Sequence, residues 1–110
     1  MDNEENENIP FQIILHAGES KADSFLAMQS ARKGNFEEAD KYMKTAIDEL
    51  QQAHQIQTNM MVKEANGEKI GFSVMFVHAQ DHLSMAIFAK DIAKEYIEGF
   101  KLFYERGLLK

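Results

Sequence analysis

The chain contains no cysteine, which excludes disulfides, thiolate catalysis and zinc–thiolate sites. One proline, Pro10, and six glycines in 110 residues are too little punctuation for an all-β fold, which needs a turn about every ten residues. No Lys/Arg cluster exceeds Arg32-Lys33, and 18 acidic residues outweigh 12 basic ones for a net charge of −6. That balance disfavours binding to a nucleic-acid backbone or an anionic membrane surface. No apolar run approaches the roughly 20 residues that span a bilayer, and the acidic first residues do not read as a signal. The expectation is a cytoplasmic protein with no direct membrane insertion.

What is present favours helix. Hydrophobic residues make up 45% of the chain, enough for one compact domain with a core. Seven Met, with many Ala, Glu, Lys and Gln, suit α-helix. Residues 1–8 are polar and acidic and read as a disordered lead-in, followed by a single helical domain over 9–110. A first helix is expected from about Ile9 to Lys33, with Pro10 in its first turn, where a missing N–H costs nothing. Phe11, Ile14, Leu15, Gly18, Ala22, Phe25 and Leu26 recur on one face of it, and His16 falls on the opposite, solvated side. Gly34 suits the left-handed position after a helix. Asn35 can cap the next one, with Glu38 three residues on to complete a capping box. A second helix then spans Phe36 to about Ala65 with a sustained apolar repeat: Phe36, Ala39, Met43, Ile47, Leu50, Ala53 and Met61. His54 and Gln57 interrupt that repeat. His54 is expected on the core face, hydrogen-bonded there with Gln57 as the candidate partner, or lining a pocket behind a site. After Asn66-Gly67 and a short loop, Ser73 caps a third helix from about Val74 to Arg106, closed by Gly107. Three long helices with two short connections predict an all-α, up-down-up antiparallel three-helix bundle.

The third helix carries two apolar stripes. One is Phe76, Ala79, Leu83, Ala86, Ile87, Ala93, Ile97, Phe100 and Tyr104, with Lys90 inside it as a snorkelling stem. The other is Val74, Val77, Met85, Phe88 and Ile92, on nearly the opposite side. A three-helix monomer needs only one buried face per helix, so the second stripe asks for a partner, most simply another copy of the chain. Asp81 falls in the middle of that stripe. If copies pack around a rotation axis, their Asp81 carboxylates meet, and like charges that close need neutralising. A divalent cation such as Mg²⁺ on the axis would do so, since carboxylate oxygens suit hard ions; trapped protons would also serve. The plainer alternative is a solvated Asp81 near the helix start, where the dipole favours an anion.

His78-Ala79-Gln80-Asp81-His82-Leu83 holds the residues with most chemistry. His78 and His82 are one helical turn apart, on the flank between the two stripes. An imidazole can act as nucleophile, base or metal ligand near neutrality. A zinc peptidase motif fails, because Glu must follow the first His and Ala79 does. A metal site using both imidazoles and a carboxylate is permitted by spacing but lacks a third ligand, Asp81 pointing elsewhere. Nucleophilic transfer of a phosphoryl group through one ring nitrogen fits better. His78 is close to the positive end of the helix dipole, which favours a phosphate, and His82 and Gln80 can support by hydrogen bonds. Against these stands the plain reading of two exposed histidines.

The hexapeptide resembles the active-site motif of the lactose/cellobiose-type enzyme IIA of the bacterial phosphoenolpyruvate-dependent sugar phosphotransferase system. Gly34-Asn35-Phe36-Glu37-Glu38-Ala39, Ala53-His54-Gln55-Ile56-Gln57-Thr58 and Glu64-Ala65 with Gly67-Glu68 are similar to the same family, so the likeness runs over about residues 10–105. It implies a homotrimeric three-helix bundle that is a phosphotransferase component. His78 would be the phosphoacceptor, receiving phosphoryl from the phosphocarrier HPr and passing it to a cysteine of the cognate enzyme IIB. His82 and Gln80 would support it, and Asp81 would hold a metal ion at the trimer axis. The sugar would be a β-glucoside-type disaccharide, cellobiose/chitobiose or lactose, with Ala79 leaning towards the former branch. Absence of cysteine fits a IIA separate from its IIB. Ser84-Met85 and the segment His16 to Ser20 depart from the family pattern; the first touches packing near the site, the second the groove that receives partners. The competing class is a non-enzymatic helical adaptor that binds a partner helix through the second apolar face.

Overall fold

The computed structural model of the chain describes residues 3–71 and 73–108. Among these, three helices follow one another: α1 (Asn3–Arg32), α2 (Phe36–Ala65) and α3 (Val74–Glu105). They form an elongated antiparallel bundle of 58 × 21 × 19 Å. α1 packs along its length against both other helices, while α2 and α3 meet each other over a smaller area. The two connections behave as the sequence suggests. Gly34 sits at φ +82°, and a Cβ there would come within 2.9 Å of the Tyr104 hydroxyl, so neither the backbone nor the space admits a side chain. Asn35 accepts the Glu38 N–H at its side-chain oxygen (3.2 Å). Glu38 reaches back to the Asn35 side-chain amide (2.7 Å), and not to its backbone as a capping box would have it. Ser73 accepts the Phe76 N–H at 3.0 Å and starts α3.

α1 departs from expectation at its start and in its orientation. Of the expected lead-in, Met1 and Asp2 lie outside the described residues, and the backbone is helical from Asn3. Pro10 is therefore well inside α1, and it is buried. The large apolar stripe that periodicity puts on the inner face is turned outward: Phe11 is 57% and Leu15 60% exposed, and Phe25 and Leu26 are exposed too. The inner face is Ile13, Ala17, Ser20, Ser24, Ala27 and Ala31. The reason is geometric. A helix wedged between two others must let both approach, and small side chains permit that. Ala17, Ser24 and Ala31 recur every seven residues, as do Ala39, Ala46 and Ala53 on α2 and Ala79, Ala86 and Ala93 on α3; all are buried. Ser20 Oγ donates to the Ala46 carbonyl at 2.6 Å across the α1–α2 seam, a distance that only a close approach allows.

The rest of the core is as the patterns foretell, with three exceptions on polar and methionine positions. Leu50, Leu83 and Ile97 are buried among the small residues. Met60 is buried on α2, and Met61, expected in the stripe, is exposed. His54 is exposed and not on the core face, because Ala53 takes the inward position and the next residue lies about 100° away. His16 is not simply solvated: its Nδ1 lies 2.6 Å from Glu49 Oε2, linking α1 to α2. Lys90 carries its ammonium out to Asp91 (2.6 Å), as a snorkelling stem does.

Two outcomes follow for stability. Ala46→Leu should lower the urea midpoint by the equivalent of about 2 kcal/mol or more, since the seam has no room for added methylenes; an unchanged midpoint would mean the seam is slack. The Asp23 carboxyl titrates above its ordinary range, chiefly through burial and further through the charges of Glu19 and Glu49. The folded chain then holds that proton more tightly than the unfolded one. The contribution favours folding at low pH and is lost as pH rises through the folded-state value. Asp23→Asn should therefore stabilise at pH 7 and not at pH 3, by about 0.5 kcal/mol or less because the side chain is partly solvated. Equal melting temperatures of variant and parent at pH 7 would rule this out.

Candidate functional site

The capped N-terminal end of α3 presents the two histidines side by side. Their rings meet edge to face with centroids 4.5 Å apart, and the two Nε2 atoms are 3.1 Å apart. At that distance one nitrogen donates its proton and the other accepts. A ring whose Nε2 accepts carries its own proton on Nδ1 and keeps the Nε2 lone pair in the plane of the contact. His78 is exposed and His82 half-buried. The sequence thus places the pair correctly on a flank, and the structure adds the atom-to-atom contact.

Asp81 is exposed, in line with Val77, Met85, Phe88 and Ile92, all of them exposed apolar residues. Val74, at the start of this line, is 84% exposed and Phe88 68%. The second stripe is thus left bare by the three-helix core, whereas the first is buried at Ala79, Leu83, Ala86, Ala93 and Ile97. Among the described residues of one chain, no group of three or more His, Cys, Asp or Glu is arranged to hold a metal ion. One chain brings a single carboxylate to the stripe, and the intrachain site built on His78 and His82 has no third ligand.

Gln80 is not beside His78. Two residues on, it lies about 200° around the helix, half-buried against α2. There Gln57 Nε2 donates to Gln80 Oε1. The two amides edge a cavity of about 220 Å³ whose walls include Met60, Met61, Phe76 and Val77. In the sequence Gln57 breaks an apolar stripe and is the candidate partner of His54; in the structure its partner is Gln80. That interruption was itself the signal, since a polar residue at a core-facing position needs a partner.

Among the described residues no helix is long and apolar enough to cross a membrane. Residues 8–101 match the family described as the PTS system, lactose/cellobiose specific IIA subunit. The chain is 45% identical over 106 residues to the lichenan-specific phosphotransferase enzyme IIA component of Bacillus subtilis, covering 96% of each chain. It is similar to the crystal structure of the PTS cellobiose specific enzyme IIA from Bacillus anthracis, with a TM-score of 0.89 and 40% identity over 96% of this chain and 94% of that one. It is also similar, at a TM-score of 0.75 and 27% identity, to a chain of the IIA(chitobiose)–HPr complex from the N,N'-diacetylchitobiose branch of the Escherichia coli phosphotransferase system, over 90% of this chain and 96% of that one.

Proposed function

The chain belongs to the lactose/cellobiose-specific IIA family and is a phosphotransferase-system component, and we propose that it carries a phosphoryl group on Nε2 of His78 between HPr and a cysteine of its enzyme IIB. The observation that carries this reading is the His78–His82 contact on the exposed flank of α3. With His82 Nε2–H donating, the His78 ring is fixed with its proton on Nδ1, and its Nε2 lone pair is freed for attack when the exposed His78 ring turns out of that hydrogen bond. It attacks the phosphorus of the HPr phosphohistidine. A new N–P bond forms while the donor N–P bond breaks, its electron pair remaining on the donor imidazole. The donor ring regains a proton, and the His78 ring releases its Nδ1 proton to solvent. His82 then donates to a phosphoryl oxygen in place of the nitrogen, and the positive end of α3 supports the added charge. In the second step the IIB thiolate attacks phosphorus. An S–P bond forms, the N–P bond breaks with its pair returning to Nε2, and Nδ1 is reprotonated. Both partners must reach one nitrogen, so their footprints overlap around His78. The HPr complex of the chitobiose relative supports the first of these partners. The setting is cytoplasmic uptake of a β-glucoside-type disaccharide.

The bare stripe of α3 supports a homotrimer packed around that helix. Asp81 residues from three copies then meet on the axis, where Mg²⁺ or a similar divalent ion would hold them together. Carboxylate oxygens in an apolar surround fit such an ion, which supplies charge neutralisation there and no step of phosphoryl transfer.

After incubation with phosphoenolpyruvate, enzyme I and HPr, intact mass at neutral to alkaline pH should show one acid-labile phosphoryl group per chain, absent from His78→Ala. No gain with HPr itself phosphorylated would turn the reading to an adaptor that uses the bare stripe for a partner helix. Asp81→Leu should leave the trimer intact or tighter by native mass and remove the bound divalent ion, since it takes away both the repulsion and the ligand. A monomeric variant would overturn the axial placement.

A further inference from the structure

The turn after α2 holds Asn66 and Gly67, both exposed. Of the six asparagines in the chain, Asn66 alone precedes a glycine. Asn35 and Asn59 precede Phe36 and Met60, and their side chains are engaged, the one with Glu38 and the other with Gln55. The Asn66 side-chain amide has no hydrogen-bond partner among the described residues. In such a pair the Gly67 nitrogen is a nucleophile and the Asn66 side-chain carbon Cγ its target, one five-membered ring away. Glycine brings no Cβ to obstruct the approach, and a Cβ built on Gly67 would meet nothing within 4 Å.

The fold holds this reaction back. Gly67, at φ +92°, closes α2 in a Schellman arrangement. Its N–H donates to the Glu64 carbonyl at 3.0 Å, and the Glu68 N–H donates to the Lys63 carbonyl at 3.1 Å. Asn66 is thereby held at ψ 6°. Ring closure needs the Gly67 nitrogen to swing toward the Asn66 side chain, about 120° away around the Cα–C bond. The nucleophile is thus both hydrogen-bonded and misdirected until the cap opens. A helix end in solvent opens at small cost.

We propose that Asn66 is a site of spontaneous modification, in which the Gly67 nitrogen displaces the side-chain amide when the α2 cap frays. A bond forms between the Gly67 nitrogen and Cγ, the bond from Cγ to the amide nitrogen breaks, and that nitrogen leaves as ammonia with the proton from Gly67. Water then opens the cyclic imide at either carbonyl. Attack at Cγ restores the backbone and leaves aspartate; attack at the main-chain carbon leaves the chain running through the side chain as isoaspartate. The conversion needs water alone, and neither a partner nor a trimer. Either product puts a carboxylate at the negative end of α2, between Glu64 and Glu68. Isoaspartate also adds a carbon to the backbone and throws the two cap bonds out of register. The product therefore weakens the cap that delayed it.

The test incubates the whole folded chain at mildly alkaline pH and digests it with trypsin. Cleavage after Lys63 and Lys69 releases residues 64–69. That peptide should gain one mass unit and divide into two chromatographic forms, while the peptides bearing Asn35 and Asn59 stay unchanged. The rate should be roughly tenfold below that of the same chain unfolded in urea, because the opening required is local. Asn66→Gln, whose ring would have six members, should remove the gain. Hydrogen exchange at Gly67 and Glu68 should be faster in converted chains than in the parent. No gain in the folded chain while the unfolded chain gains, or equal rates in the two, would overturn the gated site. A matching gain at Asn35 or Asn59 would do the same, and unchanged exchange would overturn the weakening of the cap.

Discussion

The structure depends on how closely α1 can approach α2 and α3 at once. Three columns of alanine and serine, each at seven-residue spacing, set that distance: Ala17, Ser24, Ala31; Ala39, Ala46, Ala53; Ala79, Ala86, Ala93. Among the described residues, Ile13 and Leu83 are the largest side chains that are essentially fully buried. A core of this kind packs tightly but removes little apolar area per residue, since an alanine methyl hides far less surface than a leucine. The large apolar side chains are instead left on the outside, along α1 and along the second stripe of α3. A monomer built this way holds its shape through fit more than through burial, and association is where further apolar area is to be gained.

That division explains what was and was not legible in the chain. The ends of α2 and the start of α3 could be read because single residues mark them: Gly34 for a positive φ, Asn35 and Ser73 for caps. The two faces of α3 could be read because both recur at helical spacing, the inner one broken only by Lys90 and the outer one by Asp81. α1 was read inside out. Its outward stripe is richer in large apolar residues than its inner face, and periodicity reports where apolar residues recur, not which face is buried. The clue was present in Ala17, Ser20, Ser24, Ala27 and Ala31, whose recurrence is as regular as that of the larger residues but carries less hydrophobic weight. His54 was misplaced for a smaller reason. It stands one position beyond the buried Ala53, and one position on a helix is about 100°.

For the histidines the sequence supplied the turn of helix and the family likeness, and the structure supplied the contact between the Nε2 atoms. Gln57 was out of reach because its partner, Gln80, comes from another helix, 23 residues away. Within a helix, spacing says which residues are neighbours; across a bundle, register decides, and register here is set by the small-residue columns.

The same columns fix what α3 can do. The helix divides its circumference into three sectors: a buried one through Ala79, Leu83 and Ala86, a bare apolar one through Val77, Asp81 and Met85, and flanks carrying His78 and His82 on one side and Gln80 on the other. Each sector needs its own width. A core of leucine and phenylalanine would have to sink more of α3 into the bundle to pack without voids, and the flanks would go with it. An alanine face keeps the buried sector narrow. The histidines can then stand clear enough for a large protein to reach Nε2 while one of them remains half-buried and held in place. In the proposed carrier role two different proteins touch the transfer residue in turn, which needs this exposure, and the thin core is the feature of the fold that grants it.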